Sequence, residues 1–276
     1  MPETAALPRF DDHRDEIHER IANAPGLVLC VDFDGTLAPI ETDPDAPEIT
    51  PENRRMLEAL REHDRVRVAV VSGRALDDVR ERVGIDGLAY AGNHGLELHR
   101  NGSTTVHPVA VKRRRRLRRI VEHLEDRLAR IEGAAIEDKG ATVTVHFRET
   151  PDERVEEVVE AVEESVERFG DGGIRCTDGK QILELRPAVR WHKGMAVSLI
   201  AASQPDDWLP IYIGDDTTDE SAFRAVLPEG IAIHVGTGET DASYQIPTQS
   251  GVAEALGALG EWLDDPTTRP ITSTDP

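Results

Sequence analysis

The chain has 276 residues, of which 38% are hydrophobic and 31% charged, and its formal net charge is −21. That length supplies one large domain or two modest ones with a full apolar core, and the composition excludes a disordered chain. No apolar run approaches the ~18 residues of a membrane-spanning helix, and so strong a negative balance disfavours nucleic acid and anionic membranes as partners. The lysines are Lys112, Lys139, Lys180 and Lys193, and arginine supplies the remaining strong bases. This halophilic-like acidic surface composition resembles that of proteins from a high-salt cytoplasm, and it speaks of surface and habitat rather than activity. The opening stretch MPETAALPRFDDHRDEIHER lacks the basic-then-apolar layout of a signal peptide, so a cytoplasmic protein is expected. Cys30 and Cys176 lie far apart and read as buried free thiols.

Along the chain, LVLCVDF (27–33) reads as a buried strand. PENRRMLEALREH (51–63) is a helix with proline in its first turn. VRVAVVSG (66–73) is a second strand, and ALDDVRERVG (75–84) is a short helix closed by glycine. GLAYAGNHGLELH (87–99) gives a strand and then a hairpin around NGSTTVH. Strand and helix in alternation predict a parallel sheet covered on both faces. The pattern then changes. A long amphipathic helix over 109–131 is followed by two short strands, a second acidic helix over 151–169, and the strands IRCTD and ILELRP. The first pattern resumes with a helix over 192–203, the strand WLPIYIGDD (208–216), the helix DESAFRAV, the strand IAIHV and a last helix over 250–263. The expected organisation is a Rossmann-like, doubly wound α/β core over 1–107 and 190–265. An inserted α+β cap spans 108–189 and a mobile tail 266–276.

In such a sheet, ligands bind beyond the carboxyl ends of the strands. Three strand ends here carry chemistry: Asp32-Phe33-Asp34-Gly35-Thr36, Ser72-Gly73-Arg74, and Gly214-Asp215-Asp216-Thr217-Thr218-Asp219. Residues two apart on a strand face one way, so Asp32 and Asp34 can share a site. Close like charges favour a cation between them, and Mg²⁺ suits hard oxygen ligands. One carboxylate can attack phosphorus while a second moves protons. Taken singly, each motif has a plain alternative: a turn for Asp32 and Asp34, a helix cap for Ser72, an N-cap cluster for 214–220. Their joint order, with Lys193 between the last two, favours phosphoryl transfer.

These motifs resemble those of the haloacid-dehalogenase superfamily, and within it the chain is similar to trehalose-6-phosphate phosphatases. DFDGTLAPI, SGR, GNHGLE (92–97), EDKGATVTVHFR (137–148), ELRP (184–187), HKG (192–194) and GDDTTDESAF carry the resemblance. It implies a HAD-like core with an α/β cap and hydrolysis of trehalose 6-phosphate with Mg²⁺. Asp32 would be the nucleophile, and Asp34 the acid/base, ligating metal through its carbonyl. Asp215 would ligate metal directly, with Asp216 and Asp219 acting through water or as orienters. Ser72 would hydrogen-bond the phosphoryl group and Lys193 would neutralise it.

In the cap, Thr142, Thr144, His146 and Arg148 alternate with Val143, Val145 and Phe147. Glu184 and Arg186 likewise lie opposite Leu183 and Leu185. The polar face is either solvated, the reading that suits the threonines, or a sugar-phosphate surface formed by Glu137, Lys139, His146, Arg148 and Glu184. Gly73, Arg74, Asn93 and His94 are further candidates for substrate contact, although GNHG can equally be a tight turn. The run KRRRRLRR (112–119) lies on the polar side of a helix with Glu122, Glu125 and Asp126 at pairing distance, which argues for a salt-bridged or solvated face over nucleic-acid binding. The expected partner is a small sugar phosphate as substrate, with a trehalose-phosphate synthase as a second candidate, and the chain is expected to be a monomer. Phosphatases of other sugar or glycosyl-glycerate phosphates, and a non-catalytic sugar-phosphate-binding regulator, are the competing readings. The intact Asp32, Asp34, Lys193 and Asp215 speak against the regulator.

Overall fold

A computed structural model describes residues 7–41 and 46–265; the tail expected beyond 265 lies outside the described residues. Two compact units are present. One is Thr105–Trp191, and the other is made of the described residues up to Thr104 and from His192 onward.

The larger unit holds an eight-stranded sheet. Its strands are β1 (Leu27–Val31), β2 (Val66–Val71), β3 (Ala89–Gly92), β4 (Glu97–Arg100), β5 (Ser103–Val106), β10 (Leu209–Gly214), β11 (Ile231–Val235) and β12 (Tyr244–Ile246). Their order is β12-β11-β10-β1-β2-β3-β4-β5. The first six in that order run parallel, and β4 pairs antiparallel with β3. Central strands read as unbroken apolar runs because both faces are covered. In β1, Leu27, Leu29 and Val31 enter one core cluster while Val28 and Cys30 enter the other. Cys30 is fully buried and its thiol is pushed up to about 12 by burial. The helices of this unit are α1 (Arg14–Asn23), α2 (Pro51–Arg61), α3 (Leu76–Val83), α6 (Lys193–Ala201), α7 (Glu220–Val226) and α8 (Val252–Asp264).

The smaller unit pairs two helices, α4 (Pro108–Leu128) and α5 (Asp152–Gly170), with a four-stranded sheet. Its strands β6 (Ala135–Asp138), β7 (Val143–His146), β8 (Ile174–Gly179) and β9 (Ile182–Pro187) lie in the order β6-β7-β9-β8. Leu117, Ile120, Leu124 and Leu128 of α4 meet Val143, Val145, Leu183 and Leu185 of the sheet in one cluster. This is the apolar face read from the alternation.

Three readings need correction. Helix α1 and strand β12 went unread in the sequence. Only Ile17 and Ile21 of α1 are buried, and β12 is three residues long, so neither leaves a strong periodic trace. Thr142 and Thr144, read as solvated, are buried, and the Thr144 hydroxyl has no hydrogen-bond partner. Among the described residues, Glu122, Glu125 and Asp126 form no ion pair with the arginine run on α4. Exposed ion pairs at helical spacing gain too little to fix long side chains. Instead, Arg116 donates to the Gly170 carbonyl and pairs with Asp171, and Arg119 lies 4.7 Å from the Phe169 ring centroid. Part of the run therefore ties α4 to the end of α5.

Candidate active site

The middle three strands of the large sheet, β10, β1 and β2, deliver the three motifs side by side. Asp32 continues the ladder beyond β1, its amide donating to the Ile213 carbonyl of β10 at 2.9 Å. Asp215 follows β10 directly, and Ser72 follows β2. Gly35 makes the crossing possible. Its φ is +78°, and a Cβ there would fall 1.9 Å from Asp215 Oδ2. Any side chain would therefore occupy the space where the two aspartate loops meet.

Lys193 opens α6 and is 3% exposed. Its ammonium lies 2.7 Å from Asp32 Oδ1 and 2.8 Å from Asp219 Oδ1. The glycine after it permits this placement: a Cβ on Gly194 would stand 2.0 Å from the Ser221 carbonyl of α7. The Gly194 amide instead donates to the Ser221 hydroxyl at 3.2 Å. Asp219 is wholly buried and spent on positioning. It accepts from Lys193 and, at 2.5 Å, from the Tyr212 hydroxyl through Oδ1, and from the amides of Asp215 and Asp216 through Oδ2.

Carboxylate oxygens of Asp32, Asp215 and Asp219 lie within 4.8 Å of one another. Burial, and then the neighbouring Asp219, push the Asp32 carboxyl well above its usual range despite Lys193. The same causes take Asp215 to about 7. Burial opposes the charge on Lys193, but Asp219 and Asp32 outweigh it and raise its pKa. Three carboxylates facing one ammonium leave a surplus of negative charge. Asp215 Oδ1 is buried without a hydrogen-bond partner. Hard oxygen donors, crowded like charges and an orphaned carboxylate oxygen together fit a divalent cation. Asp216 stands outside this group. It is exposed and caps the short helical turn Thr217–Asp219, accepting from the Thr217 amide.

Asp34 is 39% exposed at its side chain and is gripped by Arg74. The shortest contact, Nη2 to Oδ1, is 2.7 Å. Ser72 is fully buried, and its hydroxyl accepts from the Arg74 amide at 3.1 Å.

The trehalose-phosphatase family model matches residues 30–250. The chain belongs to the trehalose-phosphatase family. A trehalose-phosphate phosphatase of Mycobacterium marinum is 38% identical over 254 residues, covering 87% of this chain and 63% of the relative. Trehalose-phosphate phosphatase B of Arabidopsis thaliana is 31% identical over 278 residues, covering 94% and 73%. The chain thus spans somewhat under two thirds of the mycobacterial relative. In fold, it matches the C-terminal domain of the C. albicans trehalose-6-phosphate phosphatase with a TM-score of 0.75 at 20% identity, over 94% of this chain and 99% of that one. No helix among the described residues is long and apolar enough to cross a membrane.

The family's expected site residues are not all brought together. In the smaller unit, β6, β7 and β9 align Glu137, Thr144 and Glu184 in one row. Glu137 accepts from His146 Nε2 at 2.9 Å and lies 3.6 Å from Lys139 Nζ. Burial pushes its carboxyl up, but His146 and Lys139 more than offset this and hold it below the usual range. Glu184 lies 3.6 Å from Arg186. Arg148 does not join the row. Strand β7 ends at His146, and Arg148 is exposed in the turn beyond it, bonded to Gln181 at 3.2 Å. In the larger unit, Asn93 is buried and ties loops together. Its amide donates to the Arg74 carbonyl at 2.7 Å and its side chain to Glu97 at 2.7 Å. His94 follows with φ +55°, and its ring lies against Gly73. The sequence reading missed Tyr212, whose hydroxyl fixes Asp219. Within an apolar strand, only a polar tip among aliphatic residues could have marked it.

Proposed function

We propose that the chain hydrolyses trehalose 6-phosphate to trehalose and inorganic phosphate, with Mg²⁺ as its metal, in the cytoplasm. The observation that carries this reading is the buried Lys193 ammonium shared between Asp32 and Asp219 beside Asp215. Family membership and the relatives' names support the choice of substrate.

Asp32 attacks phosphorus through a carboxylate oxygen. The bond from phosphorus to the sugar oxygen breaks, and Asp34 delivers a proton to that oxygen as trehalose leaves. A water then attacks the aspartyl-phosphate, Asp34 takes its proton, and phosphate departs with Asp32 restored. Lys193 offsets the charge that gathers on the phosphoryl oxygens, while Ser72 donates to one of them. Mg²⁺ would be held by Asp32, Asp215 and the carbonyl oxygen of Asp34, and it supplies further charge neutralisation there. Asp219 holds Lys193 and Tyr212 in place, and Asp216 organises the turn. We assign sugar recognition to Glu137 and Glu184 of the row across β6, β7 and β9, with Lys139 and His146 beside Glu137, whose charged and polar tips suit hydroxyl groups.

The test is phosphate release from a panel of sugar phosphates with Mg²⁺, at low and at high salt. Strong preference for trehalose 6-phosphate is expected. Preference for sucrose phosphate or a glycosyl-glycerate phosphate would keep the chemistry and replace the substrate. No release from any ester would overturn the reading.

A further inference from the structure

The Asp34 carboxylate is held by a guanidinium that is itself held. Arg74 Nε lies 3.0 Å from Asp34 Oδ1 and 2.9 Å from Oδ2, and Nη2 adds the contact to Oδ1. The remaining arm, Nη1, reaches Asp78 Oδ2 at 3.2 Å. The other oxygen of Asp78 accepts from Arg82 Nε at 2.7 Å, and Arg82 Nη1 donates to the Pro47 carbonyl at 2.9 Å. Charges thus alternate from Arg82 through Asp78 and Arg74 to Asp34. Asp78 and Arg82 sit one turn apart on α3, the spacing at which helix neighbours meet. Arg74 comes from the loop before α3, and its guanidinium lies 5.6 Å from the Phe33 ring centroid. The Arg74 side chain is 13% exposed, against 39% for Asp34.

We propose that Asp78, braced by Arg82, is a positioning residue for proton transfer by Asp34. An arginine side chain facing a single carboxylate can pivot about its long stem, and holding it still has an entropic cost. A second carboxylate on the opposite arm and an aromatic face beneath fix the guanidinium plane. Charge-assisted, forked contacts then pass that fixed orientation to Asp34. Arg82 occupies one oxygen of Asp78 and so leaves the other for Arg74. Proton transfer in the reaction requires the acid within hydrogen-bond reach of the departing oxygen, and small errors in placement lower the rate steeply. Nothing in the motif SGR announces this role for Asp78. It emerges only when α3 brings Asp78 beside the loop.

The inference rests on Asp34 being the acid/base. A sugar alkoxide leaves only with a proton, whereas p-nitrophenolate leaves readily without one. A defect in proton delivery therefore separates the two esters, and a general loss of structure does not. The variants Asp78→Asn and Arg82→Gln are compared with wild type and with Asp34→Asn, all with Mg²⁺. The quantity is kcat/KM, which reports the steps up to release of the alcohol. The esters are p-nitrophenyl phosphate and the sugar phosphate that wild type prefers. Expected for Asp78→Asn is a loss of about 10- to 100-fold on the sugar ester, part of the ~10²–10⁴ that general acid–base catalysis contributes, with under ~3-fold on the nitrophenyl ester. Arg82→Gln follows in the same direction with a smaller loss. Equal losses on both esters in the two variants, or no loss on either ester, overturn the proposal while leaving Asp34 in its role. If Asp34→Asn itself fails to separate the esters, the reading of Asp34 falls and the proposal with it.

Discussion

The two units carry clusters built from the same ingredients, carboxylates around a lysine, and hold them differently. In the larger unit Lys193 is 3% exposed and meets two carboxylates at 2.7 and 2.8 Å, one of them fixed further by Tyr212 and two backbone amides. In the smaller unit Lys139 stands 3.6 Å from a Glu137 that is 41% exposed. The first arrangement is short and dry, which suits the fixed positions that the proposed chemistry requires. The second is looser at Lys139 and open to water at Glu137, although His146 meets Glu137 at 2.9 Å, which suits the exchange of partners that the proposed sugar recognition needs. This difference in pairing underlies the proposed division between chemistry and recognition.

The largest expected effect tests the dry cluster. Asp32→Asn removes the proposed nucleophile and should lower kcat by about 10⁴-fold or more, the scale seen when a nucleophile is deleted. Its thermal midpoint stays close to wild type; substantial residual turnover would take Asp32 out of its role. Lys193→Ala leaves buried carboxylates facing one another, and breaking such a pair destabilises by about 3–5 kcal/mol. Denaturant unfolding in chelator measures this, and a loss under ~1 kcal/mol would mean that the ammonium is not structural there. Lys139→Ala probes the wetter cluster. It should reduce kcat/KM for trehalose 6-phosphate by about 10- to 100-fold, the worth of a hydrogen bond to a charged group, and leave p-nitrophenyl phosphate nearly unchanged. Equal loss on both esters would dissolve the division of labour.

A pH series sharpens the same contrast without any substrate. The Asp215 carboxyl, at about 7 in the folded chain, lies above its unfolded value of 3.8. A group raised in this way binds its proton more tightly when folded. Its contribution is fully present below pH 4 and is lost as pH climbs through 7. The metal-free protein should therefore lose a few degrees of thermal midpoint across that window. Adding Mg²⁺ should raise the midpoint more at pH 7.5 than at pH 5. A flat response would mean that the carboxylates are already compensated. The smallest effect belongs to Arg148→Ala. Its side chain lies in the turn beyond β7 and bonds Gln181, so kcat/KM for trehalose 6-phosphate should change by under ~2-fold, as for a surface substitution.

The cluster of Asp32, Asp215 and Asp219 with Lys193, and the parallel strands that present it, were legible in the sequence for one reason. Strands covered on both faces write apolar runs, and chemistry sits at their ends. What stayed illegible depended on distance along the chain. Asp216 and Asp219 look alike in GDDTTDE, yet only Asp219 reaches Lys193, because the cap of the short turn draws Asp216 outward. Arg74 is a candidate substrate contact in the sequence, and its place between Asp34 and Asp78 shows only in the fold. Arg148 follows the alternation on paper, but the strand stops two residues earlier. Patterns of period two or 3.6 report local geometry, and these outcomes were decided by contacts between segments.

The thiol buried in β1 offers a clock. Cys30 lies two residues before Asp32, with no exposed surface and its thiol at about 12, so alkylating reagents reach it only when the central sheet opens. Cys176, on β8 of the other unit, is partly exposed with its thiol at about 11. Each unit thus carries one internal reporter. Timed labelling of the native chain, read by mass at the two positions, would give the opening rate of the central sheet from Cys30, with the partly exposed Cys176 as an internal reference that needs no opening and with no substitution introduced.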